Sequence, residues 1–216
     1  MTTSMKLGNK IVPLSGNNFD ESYVDYVEYE DSKVDSSALS ESAIVNRSKK
    51  GKTFVTSDQH LGHYNIIRYC DRPFATLEEM NEVLIENWNS VVSPEDTVYF
   101  LGDLAFGKGA NTDYWLDYLN GNIIFFRGNH DSSKDIEFFN SAIITFGGVP
   151  FFLTHDTGNI PDAWRGWVIH GHHHNNEPTE FPFINHRAKT INVSVELTDY
   201  TPVNIENILQ LVGKPR

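Results

Sequence analysis

At 216 residues the chain is long enough for one good hydrophobic core, with or without an appendage, and 39% hydrophobic with 12% aromatic content fits a globular protein. A formal charge of -12 without a basic stripe argues against tight, sequence-independent binding to long nucleic acid. A lone cysteine excludes an intramolecular disulfide, no apolar run reaches the length of a membrane span, and the polar amino terminus lacks a signal-peptide core, so the expected location is a cytosol.

Residues 1–51 differ from the rest. Between Asp20 and Glu41 stand eight acidic residues and one lysine, with serines at Ser32, Ser36, Ser37 and Ser40, before Arg47, Lys49, Lys50 and Lys52 reverse the charge. Low hydrophobicity with high charge suggests an extension that is disordered or draped on the core. Phe19, Tyr23, Tyr26, Val27 and Tyr29 fit a helical and a strand period equally. A packed extension without chemistry is preferred over an arm that covers substrate or docks a partner.

Residues 52–216 form the expected domain. Thr76-Leu77-Glu78-Glu79 has the form of a capping box, and Leu77, Met80, Leu84, Trp88 and Val91 follow at helical spacing. Cys70, in a helical stretch without an activating partner, reads as a packed or half-exposed thiol. Thr112 caps a further helix through Trp115, Leu116 and Leu119, ended by Asn120-Gly121. Strands are expected at Ile143 to Phe146, Val149 to Leu153, Trp167 to Ile169 and Ile191 to Leu197, with Gly147-Gly148 as a tight hairpin turn and a final helix from Ile205 to Leu211.

Five apolar runs each stop at a metal-liking residue: TFVTSD runs into His60, VYFLGD stops at Asp103, IIFFRGNHD at Asn129 and His130, VPFFLTH at His155, and WVIHGHHH at His172 and His174. Strands that end and deliver Asp, His or Asn onto the following loop are how α/β proteins build a site at one sheet edge. At ordinary residue usage a Gly-Asn-His-Asp string is expected about once in 10^5 to 10^6 positions. The isolated Asp58-Gln59-His60 and Gly171-His172-His173-His174 are weaker signals that gain weight from their company and order.

These residues resemble the calcineurin-like metallophosphoesterases, whose pattern is Asp-x-His, Gly-Asp, Gly-Asn-His-Asp/Glu, a lone His, and Gly-His-x-His. Here it reads Asp58/His60, Gly102-Asp103, Gly128-Asn129-His130-Asp131, His155 and Gly171-His172-His173-His174, and Ser57-Asp58-Gln59-His60-Leu61-Gly62-His63 followed by Asn65-Ile66-Ile67 looks like a small bacterial and phage-type branch. The resemblance implies an α/β fold, a four-layer αββα sandwich of two mixed sheets flanked by helices with the metal site at strand C-terminal ends. It also implies a bacterial or phage-infected host cytosol.

Carried over by position, the resemblance puts one metal between Asp58, His60 and His174, a second between Asn129, His155 and His172, and Asp103 between them, one oxygen to each. This mixed donor set suits Mn2+ first, and Fe2+, Zn2+, Co2+ or Ni2+, better than Ca2+. His130 is the expected proton donor or charge stabiliser at the leaving oxygen, with Asp131 holding its ring in one tautomer. His63, Asn65, Arg68 and Arg127 are candidate substrate contacts, although His63 could equally steady Asp58 and Arg127 pair with a surface acid. His170 and His173 are left outside the ligand set, and His186, Arg187 and Lys189 form a small basic loop.

The implied activity is a dinuclear-metal phosphodiesterase that attacks a small, nucleotide-like phosphodiester with a metal-bridging hydroxide. A nucleotide pyrophosphohydrolase or phosphomonoesterase is the competing enzyme. A non-catalytic metal-binding scaffold is disfavoured because no ligand position is missing. The expected partner is a small phosphate ester, without a membrane.

Overall fold

The computed structural model describes residues 51–107, 112–133 and 135–213 in full and, of the first fifty residues, only two short antiparallel pairs: β1 (Ser4–Leu7) with β2 (Lys10–Pro13), and β3 (Asp25–Tyr26) with β4 (Ala43–Ile44). Tyr26 thus falls in a strand. The choice between an arm and a packed extension for residues 1–51 otherwise lies outside the described residues.

Two mixed five-stranded sheets form the body of the protein. In the first, β5 (Thr53–Thr56), β6 (Thr97–Phe100), β7 (Asn122–Phe126) and β8 (Phe138–Phe139) run parallel in that order. In the second, β10 (Val149–Thr154), β11 (Trp167–His170) and β13 (Thr190–Asn192) run parallel, flanked by antiparallel β9 (Ser141–Phe146) and β12 (Ile184–Asn185). A short β14 (Val203–Asn204) returns antiparallel to β5.

The period-2 pleat explains why both faces of the first sheet are apolar. Val55, Tyr99, Leu101, Ile124 and Phe126 point inward, where they meet Ala142, Ile144, Phe151, Leu153, Ile169 and Ile191 of the second sheet. Their neighbours Phe54, Val98, Phe100, Ile123 and Phe125 point outward, onto the helix layer. That layer comprises α1 (Tyr64–Tyr69), α2 (Leu77–Val91) and α3 (Thr112–Leu116). The last helix, α4 (Ile205–Val212), inserts Ile205 and Ile208 into the inter-sheet core. Outside the second sheet, loop residues take over: Trp164 covers Phe152 and Phe181 covers His170, with ring centroids 5.7 and 5.9 Å apart.

Local signals account for most boundaries. Thr76 Oγ1 accepts a hydrogen bond from Glu79 N at 3.1 Å, and the Glu79 carboxylate reaches back to Ala75 N at 2.7 Å, one residue before the cap itself. Met80, Leu84 and Trp88 line the buried stripe of α2. Gly147 and Gly148 both have positive φ (57° and 79°), the mirror-image two-residue turn that pairs Phe146 with Val149.

Two elements depart from the sequence reading. The α3 helix stops at Leu116, and i→i+3 bonds from Tyr118 to Trp115 and from Leu119 to Leu116 carry the chain to Gly121 in a tighter turn. The strand expected over Ile191 to Leu197 ends at Asn192. Its remainder folds into a 3-10 turn, Val195–Leu197, after Ser194 bridges to Ser57 of the other sheet.

Candidate metal centre

The C-terminal ends of five parallel strands converge at one edge of the sandwich. Asp58 and His60 follow β5, Asp103 follows β6, Asn129 and His130 follow β7, His155 follows β10, and His172 and His174 follow β11. Asp58, His60, Asp103, His155 and His174 are buried, whereas Asn129 and His130 are exposed at the mouth. Two donor clusters result, Asp58 with His60 and His174, and Asp58 with Asp103 and His155, the ligand atoms of each lying within 4.8 Å of one another.

Asp103 holds the middle. Its Oδ2 lies 3.6 Å from His60 Nε2 and 3.6 Å from His155 Nε2, while Oδ1 accepts from the His130 amide at 2.9 Å. Oδ2 thus faces one histidine of each cluster, while Oδ1 is held by the loop after β7. His174 Nε2 completes the first cluster, 3.7 Å from Asp58 Oδ1. With metal–ligand bonds of about 2.0–2.2 Å, two donors on one ion stand roughly 3 to 4 Å apart, so these separations fit.

The hydrogen bonds behind the ligands aim their lone pairs. His155 Nδ1 bonds to the Leu101 carbonyl at 2.7 Å, which leaves Nε2 free to accept a metal. His172 turns Nε2 toward Asp156 Oδ2 at 3.9 Å, and its Nδ1 faces His155 Nε2 across 3.3 Å. At that distance a proton on His172 Nδ1 or a cation between the rings satisfies both nitrogens. The Asn129 carboxamide is 3.4 Å from His172 Nδ1, and rotating the amide presents its oxygen to the same point. Asp58 Oδ2 accepts from His172 N at 3.0 Å and Ser194 Oγ at 2.9 Å, whereas the buried Oδ1 and both ring nitrogens of His60 have no hydrogen-bond partner among the described residues. Buried polar atoms are rarely left so, and these point to where a cation belongs.

The electrostatics agree. Burial disfavours charge on Asp58, but His174, His155 and His60 hold its carboxyl below the usual range. Burial and the neighbouring Asp58 push Asp103 up. Burial drives His60 well below the usual imidazole value and keeps it neutral, as a ligand must be. His174 goes the other way: burial opposes its charge, yet Asp58, a bond to Cys70, and Glu196 raise it to about 11. The carboxylates draw positive charge to this point, and a divalent ion supplies it when bound. The residues present therefore fit a metal centre.

The glycines of the motifs make room for these side chains. A Cβ at Gly128 would strike the Asp103 carboxylate, and one at Gly171 would strike Ser57 Oγ and Asp58 Oδ2.

Asp131 is placed differently from the sequence expectation. Its Oδ2 accepts from Asp103 N at 2.8 Å and Gly128 N at 2.9 Å, and Oδ1 accepts from Leu104 N at 3.2 Å. It ties two ligand loops together through backbone amides and is not bonded to the His130 ring. That ring lies 5.6 Å from the His60 ring and 4.3 Å from Phe106, centroid to centroid. His63 sits beside His60 (5.4 Å) and Phe106 (4.6 Å), so it borders the mouth. Asn65 and Arg68 are exposed on α1. Arg127 stacks its guanidinium over Phe138 at 4.7 Å, a contact that the sequence does not foretell.

His170 and His173 are engaged elsewhere, on the Gly171 carbonyl and on Thr157 Oγ1. In the basic loop, Lys189 Nζ bonds to the Arg165 carbonyl and His186 packs edge-on against Trp167. Cys70 is buried, as a packed thiol should be. Sequence reasoning missed Ser194, Phe106, Arg72 and Glu196, none of which belongs to a motif. No helix among the described residues is long and apolar enough to cross a membrane.

Comparison with known proteins places this geometry. An uncharacterised protein of Methanocaldococcus jannaschii is 48% identical over 170 residues, 76% of this chain and 92% of that protein. The gene 66 protein of Mycobacterium phage L5 is 35% identical over 83 residues, 37% of this chain and 39% of that protein. A crystal structure of a protein of unknown function from Aquifex aeolicus is similar with a TM-score of 0.58 at 28% identity, covering 75% of this chain and 100% of that one. The sequence model of the calcineurin-like phosphoesterases matches residues 51–210. With the ligand geometry in place, the chain belongs to the calcineurin-like phosphoesterase family, whose members are metal-dependent phosphoesterases.

Proposed function

We propose that the protein is a two-metal phosphodiesterase acting on a small phosphodiester with a planar aromatic group, such as a nucleotide. The observation that carries the reading is Asp103 Oδ2, equidistant at 3.6 Å from one histidine of each cluster. In this reading Asp58, His60 and His174 would hold one divalent ion, Asn129, His155 and His172 a second, and Asp103 would be shared between them. When bound, such ions lower the pKa of water and polarise phosphoryl oxygens. Two divalent ions against two carboxylates leave a positive centre that suits a singly charged diester.

The chain's own residues supply the rest. His130 stands exposed at the mouth, its backbone tied to Asp103 Oδ1, in a position to give a proton to the departing oxygen. Phe106 lies between His63 and His130 and is anchored by its amide to the Leu61 carbonyl at 3.1 Å. Tyr69, 63% exposed, flanks His63 at 6.2 Å. A run of rings leading from the ligand His60 to the surface gives a base or aryl group a stacking surface.

The test is hydrolysis of bis-p-nitrophenyl phosphate beside p-nitrophenyl phosphate by Mn2+-loaded protein, with His130→Ala as control. The expected result is a diester preference and a loss of about 10^2 to 10^4-fold in kcat for the variant. Monoester or pyrophosphate turnover without diester turnover would overturn the diesterase reading in favour of a phosphomonoesterase or pyrophosphohydrolase.

A further inference from the structure

Beneath the metal cluster lies an ion pair that the chemistry above does not use. Arg72 and Glu196 pair at 2.7 Å with side chains 0% and 1% exposed. Both Arg72 Nε and Nη2 bond to Glu196 Oε1, at 2.9 and 2.7 Å, and His174 Nδ1 lies 3.0 Å from that same oxygen. The other donors of Arg72 go to the carbonyls of Asp58 and Gln59, both at 2.8 Å, and to Met80 Sδ at 3.4 Å. One guanidinium thus ties the first ligand segment to the group behind the last ligand.

We propose that Glu196 and Arg72 are positioning residues for the metal ligand His174: Glu196 holds the proton on Nδ1 and aims Nε2 at the ion, and Arg72 holds Glu196 and the Asp58–Gln59 backbone in register. This rests on the metal-centre reading above. A carboxylate behind a ligating imidazole selects its tautomer, fixes its rotation and raises its basicity.

Energetics favour a positioning role over a purely structural one. Burying two opposite charges costs desolvation that their attraction seldom exceeds, so apolar side chains of the same size would serve the fold as well. What apolar side chains cannot do is orient an imidazole. The backbone that Arg72 holds is also the strained one, with Asp58 and His60 at φ 61° and 53°.

A competing role for Glu196 is opposed by its partner. Cys70, His174 and Glu196 lie close enough to hold an ion themselves. Glu196 Oε1 already accepts both guanidinium bonds, and although Oε2 is buried without a hydrogen-bond partner among the described residues, a cation on this carboxylate would face the fixed charge of Arg72. The carboxylate therefore acts as a brace, and the open lone pair of His174 is the Nε2 one, toward Asp58.

The experiment measures Mn2+ affinity of the full chain by chelator competition in four proteins: wild type, Glu196→Gln, His174→Ala and the double variant. Thermal midpoints of the metal-free proteins are recorded alongside. Glu196→Gln is expected to weaken Mn2+ binding about 10–100-fold in the wild-type background and to change nothing where His174 is already absent. Arg72→Lys, which keeps the charge but loses the fork, is expected to weaken binding in the same direction. Equal weakening with and without His174, or none in the wild-type background, would overturn the proposal while leaving the metal centre intact. A wild-type protein that binds no Mn2+ would overturn both, so the two failures are distinguishable.

Discussion

Asp58, His60, Asp103, His172 and His174 have φ values of 61, 53, 61, 70 and 49°, in the left-handed region that side chains rarely enter. Asp and His tolerate it better than branched residues, but each such residue costs on the order of 1 kcal/mol or more, and packing around it must hold it there. The hydrogen bonds that do so are visible: Asp58 N to the Gly102 carbonyl, His60 N to the Asp103 carbonyl, both at 3.0 Å, and Asp131 on the amides of Asp103 and Gly128. These sharp turns lie just past β5, β6 and β11, at the edge where the donors meet. Asp103→Asn removes the central charge while keeping the shape. Its kcat is expected to fall by more than about 10^2-fold, beyond the 10–100-fold of changes behind the ligands. Steady-state rates on bis-p-nitrophenyl phosphate at saturating Mn2+ check this, and near-wild-type activity would remove Asp103 from the centre.

At the scale of elements, strands place the ligands and helices support the strands. The α2 helix is both locally encoded and tertiary: its Thr76 cap is a sequence signal, while Trp88 joins it to the loop after α3 through a bond from Nε1 to the Asn120 carbonyl at 2.9 Å. Thr76→Ala loses the cap and is expected to cost about 1 kcal/mol in urea unfolding. A site so near a helix end was legible because capping is a contact between residues three apart. The 3-10 turn Val195–Leu197 was not legible, since its apolar alternation continues that of β13. It forms because Ser194 joins the other sheet, and it thereby carries Glu196 under His174.

For the whole molecule, two sheets that each end at the same edge make the metal centre part of the fold's own closure. Asp58 and His174 come from different sheets, 3.7 Å apart at Oδ1 and Nε2, so an ion held by both would link the sheets to each other. Metal that binds the folded chain and not the unfolded one stabilises by mass action, about 2.7 kcal/mol at a hundred times the dissociation constant. For a chain of this size that corresponds to roughly 5–10 °C per site. Removing metal with EDTA is therefore expected to lower the thermal midpoint, and Mn2+ to restore it. A midpoint indifferent to both would argue that no ion joins the sheets.

The sequence by itself determined the strand ends and the kinds of donor delivered there, because an apolar run, its stop and the residue after it are neighbours along the chain. It also determined the Thr76 cap, the Gly147-Gly148 turn and the family, whereas Thr112, expected as a cap, is the first residue of its helix. The tertiary structure alone decided which Asp103 oxygen faces both clusters, what Asp131 holds, and that Arg72 pairs with a carboxylate 124 residues away. Such pairings depend on distance in space and on burial, which raises the strength of every charge interaction and which no local pattern of residues records.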